Sequence, residues 1–166
     1  MKILDVNLLD SLTGQAKESP RLRKNLNFHA DYNDPSQRLL NAMEPGSYIR
    51  PHRHLSDPKP ECFVGIRGRL ALIIFNDDGE IEGIFPFGPC EEIAGADLPP
   101  GIWHTVICLE SGSVFFETKP GPFNPIHKKD MAAWAPEDDS LEVNAYLNDL
   151  VYRVKHWKAD KDKKKL

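Results

Sequence analysis

The chain has 166 residues, 40% of them apolar and 28% charged, with a net charge of −4. That length holds one domain with a proper core and is short for two. The balance of charge gives no nucleic-acid surface across the body of the protein, and no segment approaches the length of a membrane span. The cysteines, Cys62, Cys90 and Cys108, form no CxxC pair and are too scattered for a disulfide framework. With no signal-peptide pattern at the start, they point to a reducing cytoplasm.

Residues 7–19 carry Leu8, Leu9, Leu12 and Ala16 on one helical face and stop at Pro20, which predicts a short amphipathic helix. The basic, polar stretch 21–29 fits neither helix nor strand and reads as a surface loop. From Gln37 to Lys119 short apolar runs at 38–43, 48–54, 61–66, 69–75, 81–85, 103–109 and 113–119 are broken by Gly, Pro and Asp. Many short strands with regular turns predict an antiparallel sandwich or barrel, with Asp78-Gly79 as a hairpin signal. No βαβ alternation argues for a parallel sheet. After Pro120-Gly121-Pro122 an irregular connector runs through Trp134. Acidic residues 137–139 with Ser140 then suit a helix start, and Leu147, Leu150, Val151, Val154 and Trp157 follow at helical spacing. The lysines from Lys158 to Lys165 read as a solvated helix end. The predicted units are an N-terminal helix and basic loop (1–35), a barrel (36–125), and a connector with a C-terminal amphipathic helix and charged tail (126–166).

His52-Arg53-His54 carries the chemistry. On an extended chain residues two apart share a face, so both imidazoles aim at one spot. Glu61, seven residues beyond His54, and His104 would complete a cage of three nitrogens and one oxygen. That set suits one divalent transition metal: zinc, iron, manganese, nickel or copper. Alternation predicts His52, His54, Glu61 and Phe63 pointing inward, with Arg53 and Cys62 outward.

Five residues separate Gly46 from His52, six separate His54 from Glu61, and six more precede Gly68. This resembles the first cupin motif, with a longer gap before the glutamate than the usual three or four residues. Pro99-Pro100-Gly101-Ile102-Trp103-His104 resembles the second, PxGxxH; Cys108 stands where an asparagine is common, and Gly95 is nearer than usual. Several segments are similar to the WbuC-type cupin-fold metalloproteins of O-antigen gene clusters. They are Arg21-Leu22-Arg23 with Asn25, Asn27 and His29; Gln37-Arg38 with Asn41-Ala42; Ser47 to His54; Lys59-Pro60-Glu61; and Glu117 to Pro122 with Trp134 to Glu137. The resemblance implies a mainly β fold, a single double-stranded β-helix (jelly-roll barrel) with a helix at each end, and metal held by His52, His54, Glu61 and His104. It also implies a homodimer paired through strand edges and a place in polysaccharide or lipopolysaccharide metabolism.

Charged side chains inside a small barrel need a partner or a ligand. Arg50 shares parity with His52 and His54 and is expected to face the cavity, with Pro51 interrupting the strand. Arg38, Lys59, Lys119, Tyr48 and His29 join it as candidates for contacting a small-molecule ligand. Exposed strand ends serve equally well for Arg38 and Lys119, and core packing is the commoner use of Tyr48. Arg50 and Glu117 are the candidate catalytic groups; an exposed or ion-paired position is the ordinary reading of Glu117. Cys108 has the parity of His104. Two function classes follow. One is a metal-dependent enzyme acting on a small polar molecule, sugar-derived or anionic, by isomerisation, epimerisation or hydrolysis, or an iron-dependent dioxygenase with the same ligands. The other is a non-catalytic module whose metal is structural or senses a ligand.

Overall fold

Leu70 to Phe75 is apolar at every position, which suits a strand covered on both faces, and it runs through the centre of the molecule. The computed structural model describes residues 1–163, with side chains as far as Trp157. The lysine-rich terminus of the sequence reading lies largely outside the described residues. In chain order the elements are helix α1 (Val6–Glu18), strands β1 (Arg23–Asn27), β2 (Ser36–Met43), β3 (Glu61–Arg67), β4 (Leu70–Phe75), β5 (Ile81–Phe87), β6 (Gly95–Leu98), β7 (Trp103–Cys108) and β8 (Ser113–Pro120), a 3-10 turn (Lys128–Asp130), and helix α2 (Val143–Lys163).

The strands form two antiparallel sheets, ordered β1-β2-β8-β3-β6 and β5-β4-β7. Between them lies a core of Met43, Phe63, Leu70, Leu72, Phe87, Val106 and Phe115. Their outer faces are covered by the helices. Leu9, Leu12 and Ala16 of α1 pack on Leu40, Ala42 and Val114, and Leu147 and Leu150 of α2 pack on Ala71, Ile73, Phe75 and Ile107. The result is the jelly-roll arrangement with a helix on each side. Asp5 caps α1 by accepting from the Leu8 amide at 2.9 Å.

Three expectations are corrected. The stretch 21–29 is not a loop: Arg23–Asn27 is an edge strand paired with β2 from Arg23↔Met43 to Asn27↔Leu39. Its polar sequence hides it, because an edge strand with solvent on one side needs few apolar residues. Residues 48–54 do not form a ladder strand. Pro51 has no N–H to give, and only His52 forms bridges, to His104 and Met131. Finally α2 begins at Val143, so the acidic residues 137–139 lie before it rather than in its first turn. No helix among the described residues is long and apolar enough to cross a membrane.

Candidate metal centre

Three backbone devices bring the four predicted ligands to one end of the barrel. Glu61 opens β3, where alternation buries it with Phe63, each only 3% exposed, while Cys62 turns to the other face and stays partly exposed. His104 is the second residue of β7 and is buried. His52 is locked beside it by a reciprocal pair of backbone hydrogen bonds, His52 N to His104 O at 3.0 Å and His104 N to His52 O at 2.9 Å. His54 accepts from the Gly101 amide at 3.1 Å through its carbonyl. Gly101 has a φ of +86°, a turn geometry in which a side chain is strained, so the PxG turn is what lays His54 against the start of β7.

On its other side the HxH segment is held by the connector. Arg53 N donates to Asp130 O at 2.9 Å and Ala132 N donates to Pro51 O at 2.9 Å. The Arg53 side chain points outward, as alternation predicts. It lies over the Trp103 ring at 4.3 Å and pairs with Asp77 at 3.1 Å and Asp130 at 3.7 Å.

One ligand atom from each of His52, His54, Glu61 and His104 can be chosen so that all lie within 4.8 Å of one another. With metal–ligand bonds of about 2.1 Å, donor atoms on one ion lie about 3.0–4.2 Å apart, so the four atoms need to draw in only modestly to share one. The donor chemistry fits as well. Nδ1 of His52 lies 3.0 Å from the Arg50 carbonyl and Nδ1 of His104 lies 2.9 Å from the Ile102 carbonyl. Each carbonyl accepts a hydrogen bond from Nδ1–H, which leaves the Nε2 lone pair free for a metal, the arrangement that orients metal-bound imidazoles. His54 Nε2 and Glu61 Oε2 are buried without a hydrogen-bond partner. Glu61 still sits 3.2 Å from His54 Nε2 and 3.1 Å from His104 Nε2. The atoms are close but not aligned as donor and acceptor, as lone pairs converging on a common centre would be.

The electrostatics agree with a ligand set ready for a cation. Burial, reinforced by the neighbouring His104, pushes His52 down to about 3, so its imidazole is neutral. Burial alone would raise the Glu61 carboxyl, but His104, His54 and Lys119 outweigh it and hold it below the usual carboxylate range. Lys119 Nζ donates to Glu61 Oε1 at 2.8 Å and pairs with Glu117 at 2.7 Å. Burial alone would lower Lys119; Glu117 and Glu61 overcome it and hold the ammonium above its usual range.

The other candidates divide sharply. Lys119, Lys59 and His54 line a cleft of about 540 Å³ together with Gln37, Arg53 and the connector residues Phe123 to Met131. Lys59 is buried, paired with Asp57 at 2.6 Å and bonded to the Pro122 carbonyl. Glu117 is buried rather than exposed, accepting from Asn41 Nδ2 at 2.8 Å beside its pair with Lys119. Arg50 does not face the cavity. Pro51 breaks the strand regularity that parity assumed, and the guanidinium donates to the Ala132 carbonyl through Nε at 3.1 Å and Nη2 at 2.8 Å. Arg38 pairs with Asp34 at 3.2 Å and is partly exposed, outside the cleft lining. Tyr48 is buried in the core under α2, its hydroxyl donating to the Pro136 carbonyl at 2.8 Å. His29 is buried away from the cleft, with Nδ1 accepting from the Arg38 amide at 3.1 Å. Cys108 does face the inner core, where it packs with Phe115 and lies 3.1 Å from the Met43 carbonyl, outside the metal cluster.

Sequence reasoning missed the connector. Asp130 is buried, accepts from the Ser56 amide at 2.8 Å, and holds Arg53. It sits in an irregular stretch whose residues have no period to reveal which of them turn inward.

Solved structures similar to this chain share its architecture. The capsular polysaccharide assembling protein CapF from Staphylococcus aureus matches with a TM-score of 0.52 and 20% identity over 64% of this chain and 30% of that chain. Oxalate oxidase in complex with the substrate analogue glycolate matches with a TM-score of 0.51 and 12% identity over 67% and 57%. Oxalate decarboxylase from Bacillus subtilis matches with a TM-score of 0.47 and 19% identity over 61% and 25%. The chain spans less than two thirds of each of these proteins, and the likeness to CapF and oxalate oxidase shows the fold alone, that of a cupin. No curated protein matches the chain. A family model described as a domain of unknown function matches residues 4–86, from α1 through the HxH segment and Glu61 to β5, and on that match the chain belongs to the DUF6016 family.

Proposed function

We propose that this protein is a metal-binding cupin that binds or transforms a small polar molecule, sugar-derived or anionic, in polysaccharide or lipopolysaccharide metabolism. The observation that carries the metal is the convergence of His52, His54, Glu61 and His104 with their donor atoms within 4.8 Å. Four protein ligands leave positions free on a metal that takes five or six, and His54 places the centre on the wall of a cleft of about 540 Å³. A divalent metal bound there would supply Lewis-acid polarisation of a coordinated carbonyl or hydroxyl. The chain's own groups do the rest. Lys119 offers a cation beside the centre, Glu117 holds Lys119 in place, and the connector lines the cleft.

The sugar link is supported by the resemblance to the WbuC-type proteins. Free Cys62, Cys90 and Cys108 support a cytoplasmic setting, and the outer strands β1 and β6 offer edges for a homodimer. The test is turnover by protein reconstituted with zinc, manganese, nickel or iron, followed against sugar nucleotides, sugar acids and dioxygen uptake. Metal-dependent conversion of a sugar derivative supports the reading. Tight metal binding with no conversion by any loaded form moves the protein to the non-catalytic class.

A further inference from the structure

Lys119 is the cation of the cleft that touches the candidate metal centre. An ammonium has three N–H donors. One goes to Glu61 Oε1 at 2.8 Å, and the pair with Glu117 Oε1 at 2.7 Å claims a second. No other acceptor contacts Lys119 among the described residues, and the side chain lines the cleft beside His54. Two of the neighbouring cations are committed elsewhere, and Lys128, on the connector, is exposed to solvent. Arg53 is held by Asp77 and Asp130, and Lys59 by Asp57 and the Pro122 carbonyl. Part of the lining is different in kind. Phe123, Pro125, Ile126 and Met131 face the same space, and Phe123 is 42% exposed although large and apolar. The cleft therefore has a charged floor and a hydrocarbon wall.

We infer that the cleft takes an organic carboxylate, its charged head on Lys119 beside the metal and its carbon body against Phe123, Pro125, Ile126 and Met131. The inference rests on the metal-centre reading, because charge balance requires it. Lys119 with Glu61 and Glu117 sums to one negative charge, and a divalent metal turns that to one positive. At Lys119 an anion is attracted by this local group of charges only in the second case. A carboxylate fits better than inorganic phosphate, which has no use for an apolar wall and is ordinarily held by Arg forks or several backbone N–H groups. A carboxylate needs one charged donor and an open metal position. Its body gains from the burial of apolar surface against that lining.

The experiment uses the full chain loaded with zinc, its metal content measured first, and calorimetric titration with mandelate, lactate, methyl mandelate and inorganic phosphate. Mandelate should bind at least tenfold tighter than lactate, which lacks the ring, and tenfold tighter than the ester, which lacks the charge. Lys119→Met, kept zinc-loaded, should lose at least tenfold for mandelate and little for the ester, and Lys119→Arg should recover part of the loss. Phe123→Ala should erase the advantage of mandelate over lactate. Chelated protein should bind mandelate at least tenfold more weakly than the loaded form. The inference is overturned if the ester or phosphate binds as tightly as mandelate, or if zinc-loaded Lys119→Met keeps mandelate affinity within twofold. The comparison of acid with ester in the wild-type protein decides the matter even where the Lys119 variant does not fold. Failure to take up zinc shows in the metal measurement and counts against the metal reading. Full zinc uptake with no preference for mandelate over its ester overturns the carboxylate head alone and leaves the metal reading standing.

Discussion

Lys119 reaches Glu61 from the neighbouring strand, its Nζ 2.8 Å from Oε1, one step beyond the Cys62↔Thr118 pair that joins β3 to β8. The other carboxylate oxygen, Oε2, is buried without a hydrogen bond, 3.1 Å from His104 Nε2. Glu61 thus gives one oxygen to the protein and keeps the other for the centre. The arrangement depends on Glu117, which holds Lys119 from the side opposite Glu61 and is itself held by Asn41. Glu117→Gln removes a buried charge while leaving the shape. We expect it to destabilise the protein by about 2 kcal/mol, read from urea unfolding, and to weaken zinc binding roughly tenfold through the altered hold on Glu61.

Acid should destabilise the metal-free protein in two separable windows. His52 lies at about 3 in the folded protein against an ordinary 6.5, chiefly through burial and then through His104. The unfolded chain therefore binds a proton that the folded one refuses as pH falls below 6.5. Stability from this group is complete above 6.5 and is lost progressively down to about 3, with roughly 2 kcal/mol gone by pH 5. Glu61, depressed below the carboxylate range, adds a loss only below about 4.5. Unfolding followed from pH 7.5 to 4.5 in the presence of chelator should show the first slope, and His52→Gln should flatten it. An unchanged slope in that variant would assign the effect to another group.

Arg53 is predicted to act on the metal without touching it. Its guanidinium over Trp103 and its pairs with Asp77 and Asp130 fix the residue between the two histidines. Arg53→Ala should cost about 1–2 kcal/mol in stability and weaken metal binding by about tenfold, as loss of an orienting neighbour typically does. A variant with native metal affinity would show that the His52–His104 backbone pair alone sets the geometry.

Arg50 offers the contrasting case. Its hydrogen bonds go to the Ala132 carbonyl, so it braces the connector. Arg50→Ala should lower the melting temperature, at a cost of about 1–3 kcal/mol, and leave mandelate affinity of the zinc-loaded protein within twofold. A tenfold loss of affinity at constant metal content would return Arg50 to the ligand site.

The ease of reading these residues from sequence followed from how much backbone geometry each required. Glu61, Phe63 and Cys62 followed from alternation alone, because β3 is a regular strand with one face toward the core. His52 and His54 converge with His104 although their segment forms no ladder. The reciprocal hydrogen bonds of His52 with His104 supply the extended geometry that a strand would have supplied. Arg50 went astray because parity does not carry across Pro51. β1 and the four-residue β6 escaped notice for opposite reasons: β1 is polar and defined by its partner β2, and β6 is too short to show a period. Lys119 is half-legible. Its residue type in a β-rich run marks it, but its place beside Glu61 is a matter of β3–β8 register, which pairs residues far apart in sequence. The connector wall was illegible because irregular chain leaves no period to read.

The central claim is that His52, His54, Glu61 and His104 together hold one metal ion. Its most direct test is elemental analysis of the purified wild-type protein and of the His52→Ala and His104→Ala variants after equal exposure to zinc, manganese, nickel and iron. The account predicts about one equivalent of one of these metals in the wild type and a loss of at least tenfold in each variant that remains folded by circular dichroism. Stoichiometric metal retained by both folded variants would contradict it.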